Sequence, residues 1–205
     1  MGNTITVEPL SETALADIVS NISPNVFTKA EVRALWIHFN TISGNDETID
    51  RKKFQEAVMF KDSALLDRIF HIFDTDDDGS ISFNEYVVGI STLSSKTSHE
   101  EKMKFSFAVY DFDGDGLISS DDLTAVLAGI LREHDLVINK NEIDKIVEIT
   151  MKEAVPQVAG NISYTDYHKM MSVRPHLLTH FTLNISNIIS EYTNSTGTAF
   201  YTPRL

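Results

Sequence analysis

A twelve-residue acidic segment, Asp74 to Glu85, constrains the fold of this chain more than any other feature. Its sequence is Asp-Thr-Asp-Asp-Asp-Gly-Ser-Ile-Ser-Phe-Asn-Glu, and apolar residues flank it at helical spacing. Oxygen-bearing side chains stand at positions 1, 3, 5, 9 and 12, a spacing that lets a tightly curled loop bring them to one point. Calcium is a hard cation that takes about six to eight oxygen ligands. The segment therefore predicts a calcium-binding loop between an entering and an exiting helix.

Every position of this loop has the residue type that the EF-hand motif requires. Gly79 at position 6 permits the positive φ angle at which the loop reverses. Glu85 at position 12 can offer both carboxylate oxygens and begins the exiting helix, so ion binding can move that helix. An ordinary acidic turn is the alternative, but a turn does not require all of these positions at once. The predicted ligand residues are Asp74, Asp76, Asp78, Ser80 through its backbone carbonyl, and Glu85.

The same frame recurs at Asp111 to Asp122, which indicates an internal repeat. In both units an apolar residue lies four residues before position 1, another at position 8 and a third at position 13. Position 12 is now Asp122, one methylene shorter than glutamate, so we expect it to reach an ion with a single oxygen. A smaller oxygen set suits magnesium, so we predict that this site binds an ion, either calcium or magnesium. The predicted ligand residues are Asp111, Asp113, Asp115, Leu117 through its backbone carbonyl, and Asp122.

Two more units keep the apolar frame and lose the acidic ligands. The first loop is one residue short, with Ile42, Gly44 and Asp46 in place of ligands and Lys53 at position 12. A cation at position 12 repels the ion, so we expect this hand not to bind. The fourth loop has Val155, Gln157 and Ala159 at positions 1, 3 and 5 and only Asp166 at position 12. We expect this hand to bind no ion either.

EF-hands work in pairs, joined by a short antiparallel contact between the position-8 residues of partner loops. The frame predicts that Ile49 faces Ile81 and that Ile118 faces Ile162. The predicted fold class is therefore all-α: four EF-hands in two paired lobes, with hands 1 and 4 degenerate, plus N-terminal and C-terminal helices. The predicted segments are 1–27 (N-terminal helix), 28–93 (N-lobe), 94–100 (joint), 101–172 (C-lobe) and 173–205 (C-terminal helix and tail).

Both ends of the chain suggest further contacts. The opening Met-Gly-Asn-Thr-Ile-Thr fits the N-myristoylation pattern, with Gly2 as the acceptor, although an ordinary disordered start has the same composition. A single myristoyl chain would give reversible membrane attachment. After Pro175 the apolar residues Leu178, Phe181, Ile185, Ile188 and Tyr192 fall on one helical face. This face either docks in an apolar groove, as amphipathic helices do in opened EF-hands, or completes the C-terminal lobe.

Composition excludes several classes of function. The net charge of −13 is unsuited to binding a nucleic-acid backbone, which requires cations. The chain has no cysteine, so disulfides, thiol nucleophiles and thiolate metal sites are excluded. We see no apolar run near the ~18 to 20 residues of a membrane span and expect no secretory signal. The sequence thus predicts a cytoplasmic protein, with peripheral membrane contact if Gly2 is acylated.

Several longer stretches resemble the calcineurin B superfamily, and in particular the calcineurin B-like calcium sensors. They are Phe54-Gln-Glu-Ala-Val-Met-Phe, Asp67-Arg-Ile-Phe-His-Ile-Phe-Asp-Thr, Lys104-Phe-Ser-Phe-Ala-Val-Tyr-Asp and Pro175-His-Leu-Leu-Thr-His-Phe-Thr-Leu. The resemblance covers about residues 28 to 185. It implies a non-catalytic regulatory subunit whose groove receives a helical segment of a Ser/Thr phosphatase or a Ser/Thr kinase. Calcineurin B itself usually has four competent hands, and this chain has two, which weakens the phosphatase assignment and leaves the kinase, or another target, open.

The sequence therefore predicts a calcium sensor, not an enzyme, that regulates a partner through an apolar groove linked to calcium binding. The alternative from another class is a calcium or magnesium buffer, which would bind ions and hardly open. A sensor exposes apolar surface when it binds calcium and a buffer does not, so binding of an apolar dye separates the two.

Overall fold

The computed structural model describes residues 8–22, 26–44, 46–58, 63–158, 160–176 and 178, and these residues form an all-α fold with short strands. Their elements, in chain order, are α1 (Glu12–Asn21), α2 (Lys29–Ser43), β1 (Thr48–Asp50), α3 (Arg51–Val58), α4 (Ser63–Phe73), β2 (Ser80–Ser82), α5 (Phe83–Thr92), α6 (His99–Tyr110), β3 (Leu117–Ser119), α7 (Ser120–Glu133), α8 (Lys140–Ala154), β4 (Asn161–Ser163) and α9 (Tyr164–Ser172). The predicted fold class is confirmed, including the N-terminal helix, which is α1. Of the predicted C-terminal helix and tail, 173–205, only residues 173–176 and 178 are among those the structure describes.

Several of the described helices begin at side-chain caps that the sequence encodes. Thr28 and Glu31 form a capping box at the start of α2, and Asn139 and Glu142 form one at the start of α8. In each box the cap side chain accepts from the backbone N–H three residues on, and the acid accepts from the cap's own N–H. The same arrangement opens α5, α7 and α9, where the acid is also position 12 of the preceding loop. Position 12 therefore belongs to both the loop and its exiting helix.

Each loop of a pair contributes one short strand to a two-stranded antiparallel sheet. In the first sheet β1 pairs with β2, and Ile49 lies opposite Ile81. In the second sheet β3 pairs with β4, and Ile118 lies opposite Ile162. Both predicted registers are confirmed. All four isoleucines are buried, because each strand is three residues long and its central side chain points inward.

The described residues divide into two compact units. The first comprises residues 8–58 together with 73–97, and the second comprises 63–72 together with 98–178. Most of α4 thus belongs to the second unit, although the sequence frame groups it with the second hand, and α6 begins at His99, inside the segment predicted as a joint. The predicted lobe boundaries remain a prediction, because compact units and functional lobes need not coincide.

The core of the first unit is aromatic. Phe39 on α2 is fully buried and contacts Phe83 and Tyr86 on α5, with ring centroids 5.3 and 5.6 Å apart. Trp36 lies beside the same cluster and meets Phe83 edge-on at 4.8 Å. These contacts fix α2 against α5, the helix that carries Glu85.

The core of the second unit surrounds Phe107 and Tyr167, whose rings are 5.5 Å apart. The buried Tyr167 hydroxyl donates to the Ser106 hydroxyl at 2.8 Å, which satisfies both groups away from water. Leu178, the first residue of the predicted C-terminal apolar face, is buried in this core. Whether the predicted face as a whole completes the lobe or docks in a groove stays a prediction, because its other residues lie outside the described ranges.

Among the described residues, no helix is both long enough and apolar enough to cross a membrane.

Candidate metal centre

The loop between α4 and β2 draws its first three acidic residues together. One carboxylate oxygen from each of Asp74, Asp76 and Asp78 lies within 4.8 Å of the others. Backbone N–H groups curl the loop: Asp78 donates to Asp74 Oδ1 at 3.1 Å, and Gly79 donates to Asp74 Oδ2 at 2.9 Å. Gly79 has a φ angle of 84°, as the sequence required. The curl converges three carboxylates on one point.

Glu85 closes this loop by bridging its two ends. Its Oε1 accepts from the Thr75 N–H at 2.7 Å and from the Thr75 hydroxyl at 2.9 Å. Its Oε2 accepts from the Ser82 N–H and hydroxyl at 2.9 and 2.8 Å. Burial opposes the charged form of Glu85, but the hydrogen bonds from Ser82 and Thr75 outweigh it and lower the pKa of Glu85. The carboxylate therefore stays ionised at position 12.

Asp76 lies in a more repulsive environment than Glu85. Desolvation and the negative charges of Asp78 and Glu85 raise the pKa of Asp76. A raised pKa of this origin marks a site where negative charge is crowded, and a bound cation would relieve that crowding.

The loop between α6 and β3 repeats the arrangement. One carboxylate oxygen from each of Asp111, Asp113 and Asp115 lies within 4.8 Å of the others. Asp122 at position 12 accepts through Oδ1 from the Phe112 and Asp113 N–H groups, both at 3.2 Å. The corresponding contact of Glu85 with Thr75 is 2.7 Å. A second contact of Glu85 Oε1, with the Asp76 N–H, is 3.4 Å, so the two position-12 acids span their loops with contacts of similar length.

The surroundings of the Asp111 carboxylate show whether a cation fits the third loop. The residue is 5% exposed, its Oδ2 accepts from Gly116 N–H at 3.0 Å, and burial raises the pKa of its carboxyl group. Within the described part of the chain its other oxygen, Oδ1, is buried and receives no hydrogen bond. A buried acceptor without a donor is costly, and a hard cation bound by oxygens would satisfy it. The residues therefore fit calcium or magnesium.

The position-7 residues, Ser80 and Leu117, begin β2 and β3 in the two loops. Each holds the acid at position 5 by a backbone hydrogen bond: the Ser80 N–H donates to Asp78 Oδ1 and the Leu117 N–H to Asp115 Oδ1, both at 2.8 Å. The structure thus brings together the three leading acids of each loop and places position 12 across the same loop. That all ten predicted residues are ligands remains a prediction.

In the first hand, the structure pairs a side-chain cation with one of the acidic residues of the loop. Lys53 at position 12 forms an ion pair with Asp46. The backbone N–H of Lys53 also donates to Asp50 Oδ1 at 2.8 Å, so the helix start is still capped. The expectation that this hand binds no ion remains a prediction, and the ion pair supplies a physical reason for it.

In the fourth hand, a lone acid is used for structure. Asp166 is 1% exposed and accepts from the Ser163 hydroxyl at 2.7 Å and from the Gln157 N–H at 3.3 Å. The hydroxyl bond, above all, lowers the pKa of Asp166 despite burial. An acid at position 12 can therefore stabilise a loop that has no acids at positions 1, 3 and 5. This structural role accounts for the presence of Asp166 in the fourth loop.

An apolar pocket lies next to the second sheet. Its volume is about 520 Å³, and the paired residues Ile118 and Ile162 form part of its wall. Side chains from α7, α8 and α9 contribute to the lining, among them Leu127, Ile130, Ile146 and Met170, and Arg174, which follows α9, lies at the same pocket. Because Ile118 belongs to the third loop, a change in that loop acts directly on the pocket wall.

Sequence reasoning missed one charged residue near the third loop, Arg68 on α4. Burial lowers the pKa of Arg68, while the negative charges of Asp111, Asp113 and Asp122 act in the opposite direction. Arg68 lies 43 positions before Asp111 in the chain, and no local pattern links the two.

Helix–loop–helix units in pairs, with acids converging in two of the loops, define an EF-hand protein. Family models described as an EF-hand domain pair match residues 45–88 and 100–172. The curated relatives include the calcineurin B protein of Naegleria gruberi, 31% identical over 71% of this chain and 81% of that protein. Others are calcineurin B-like protein 5 of Arabidopsis thaliana (29%, covering 82% and 85%) and calaxin of Xenopus laevis (32%, covering 76% and 79%).

The chain belongs to the calcineurin B-like family of EF-hand proteins. Two of its four loops keep the acidic residues of the calcium-binding motif in a converging arrangement.

Proposed function

We propose that this chain is a calcium sensor and a non-catalytic regulatory subunit of a partner enzyme. The observation that carries this proposal is the apolar pocket beside the paired strands of the second unit, whose wall includes Ile118 of the third loop. When calcium is bound, it supplies charge neutralisation among the crowded carboxylates of Asp74 to Glu85 and Asp111 to Asp122. Position 12 lies in the first turn of the exiting helix in both loops, so ion binding there reorients that helix. In the third loop that helix is α7, which lines the pocket.

The partner we propose is a helical segment of a Ser/Thr phosphatase or a Ser/Thr kinase. Relatives named for calcineurin B and as a calcineurin B-like protein support this class of partner. An apolar groove between helices accepts the apolar face of an amphipathic helix. The exposed apolar side chains at the rim, such as Ile130 and Ile146, give such a helix a surface to bury.

The experiment measures apolar dye fluorescence and the binding of a model amphipathic Leu/Lys helical peptide, each with and without calcium. We expect calcium to increase both. Ile130→Asn, at the pocket rim, should reduce peptide binding about tenfold, while Val137→Asn, at an apolar residue that is 98% exposed and outside the pocket lining, should not. Co-purification in calcium should then recover a phosphatase or kinase chain. No calcium-dependent rise in dye or peptide binding would favour the buffer instead.

We also propose that the third loop admits magnesium as well as calcium. The support is Asp122, whose side chain is one methylene shorter than that of Glu85 and so offers an ion a shorter reach. Magnesium demands a smaller, six-coordinate oxygen set. Competition titrations should show that magnesium weakens calcium binding more at this loop than at Asp74 to Glu85. Equal competition at both loops would refute the distinction.

Membrane contact through Gly2 is a further proposal for this protein, which we place in the cytoplasm. Its support is the opening sequence motif alone, because residues 1–7 lie outside the described ranges. Co-expression with an N-myristoyltransferase should add a myristoyl mass to the wild type and not to Gly2→Ala. The acylated chain should float with lipid vesicles, and an unmodified wild type would contradict the proposal.

A further inference from the structure

Arg68 is anchored at the entrance of the third loop. Its Nε donates to the Ala108 carbonyl at 2.8 Å, and its side chain is half-buried. Ala108 lies in the last turn of α6, where backbone carbonyls lack partners inside the helix. A cation is also favourable at this end of a helix, because the helix dipole is negative there. Both effects hold the guanidinium group close to the residues that follow α6.

The guanidinium group lies against the loop itself. A Cβ atom built on Gly114 would be 3.1 Å from Arg68 Nη1 and 3.9 Å from Nη2. Gly114 is position 4 of the loop, between the predicted ligands Asp113 and Asp115, and has a φ angle of 77°. The second loop has Asp77 at this position, with a φ angle of 58°. Glycine therefore leaves space for the arginine in the third loop.

The charge of Arg68 acts on the predicted ligands. Arg68 and Asp111 each influence the other: the arginine stabilises the ionised carboxylate of Asp111 against burial, and Asp111 stabilises the charged guanidinium group. Asp113 and Asp122 act on Arg68 in the same direction as Asp111. The third loop thus has a permanent positive charge within electrostatic range of three of its acids, since arginine stays protonated in proteins.

We propose that Arg68 is a built-in cation of the third loop that stabilises the loop without an ion and lowers its calcium affinity. Without an ion, the guanidinium charge offsets repulsion among the carboxylates. With an ion, the same charge repels it. The inference rests on the proposed function, because it presupposes that the third loop binds calcium. Arg68 would then set the calcium concentration at which this hand responds.

The test follows calcium binding at each loop separately by backbone amide NMR. The Gly116 N–H donates to Asp111 Oδ2 and the Gly79 N–H to Asp74 Oδ2, so each reports on its own loop. Arg68→Gln should lower the calcium midpoint at Gly116 about three- to tenfold, the size expected for one charge near a partly exposed site. The midpoint at Gly79 should change less than about twofold. The difference should shrink as salt screens the charge.

Matched variants separate charge from packing and from net charge. Arg68→Lys keeps the charge and loses the planar group, and its midpoint should stay within about twofold of wild type. Arg68→Met tests the same loss of charge with an apolar side chain and should behave as Arg68→Gln. Lys145→Gln removes one positive charge from an exposed position on α8 and should leave the midpoint at Gly116 unchanged.

A second measurement uses the chain without calcium. Arg68→Gln should lower the melting temperature more in chelator than in saturating calcium, because the guanidinium charge is useful only to the ion-free loop. An unchanged or weaker calcium midpoint at Gly116 in Arg68→Gln would overturn the role of Arg68. So would Arg68→Lys matching Arg68→Gln. If the Gly116 signal of the wild type itself fails to respond to calcium, the proposed function falls and the inference falls with it.

Discussion

Glu85→Gln is the most informative single change in the second loop, because Glu85 has two functions there. Its Oε1 holds Thr75 and its Oε2 holds Ser82. Glutamine has one acceptor oxygen and one NH₂ group of nearly the same size. One end of the bridge therefore loses its acceptor, and an NH₂ group then faces a backbone N–H, while the site also loses one negative charge.

The structural cost can be worked from these contacts. Glu85 is 7% exposed, so a backbone N–H that loses its partner there is shielded from water. Leaving one such donor unsatisfied costs about 1–3 kcal/mol, and the hydroxyl on the same side can reorient to limit further loss. We expect the free energy of unfolding without calcium to fall by about 1–3 kcal/mol. Calcium affinity depends on ligand charge and oxygen count, so it should fall about 100-fold or more at this loop.

The assay combines urea unfolding in chelator with calcium titration read at the Gly79 and Gly116 amides. Glu142→Gln is the matched control, because Glu142 closes the capping box of α8 and is not among the predicted ligands. The control should lose stability and keep both calcium midpoints. Unchanged affinity at Gly79 in Glu85→Gln would refute the ligand assignment. Equal weakening by Glu142→Gln would show that capping, not ligation, causes the effect.

Three other predictions test separate parts of the account. Asp122→Glu should raise calcium affinity at the third loop about tenfold, since the longer side chain reaches further, and an unaltered midpoint at Gly116 would show that reach is not limiting. Burial lowers the pKa of His38 from 6.5 to about 4. Below about pH 6.5 the imidazole is therefore protonated in the unfolded chain but still neutral in the folded one. The free energy of unfolding of the wild type therefore falls as the pH drops from about 6.5 to 4. Between pH 7 and pH 5, urea unfolding of His38→Gln should show a fall in this free energy that is smaller than the wild type's by up to about 2 kcal/mol. The same pH dependence in both proteins would refute this. Gly89→Ala would place a methyl group in the buried ring of Phe73 and should lower the unfolding free energy by about 1–3 kcal/mol, whereas no change would mean that the helices adjust freely.

The repeat frame in the sequence predicted the fold in detail because its signals are local. The opposition of Ile49 with Ile81 follows once position 8 is located in each loop, since every loop places that residue at the centre of a three-residue strand. The capping boxes are equally local, because cap and acid are three residues apart. Residues that act within one turn or one loop can therefore be predicted from spacing.

Contacts between distant parts of the chain could not be predicted from residue spacing. Arg68 and Ala108 are 40 residues apart and meet only because α4 and α6 pack in one unit. The sequence indicated that Lys53 would repel an ion, but not that Lys53 would pair with Asp46. The burial of Asp166 was likewise invisible from its position in the repeat. Such roles depend on tertiary packing, which residue spacing does not specify.

The direct test of the central claim is the number of calcium ions bound per chain, measured by equilibrium dialysis with ⁴⁵Ca on the full-length protein. The account predicts two ions for the wild type, one for Glu85→Gln and one for Asp111→Asn. Binding of no calcium by the wild type, or the same count in all three proteins, would contradict it.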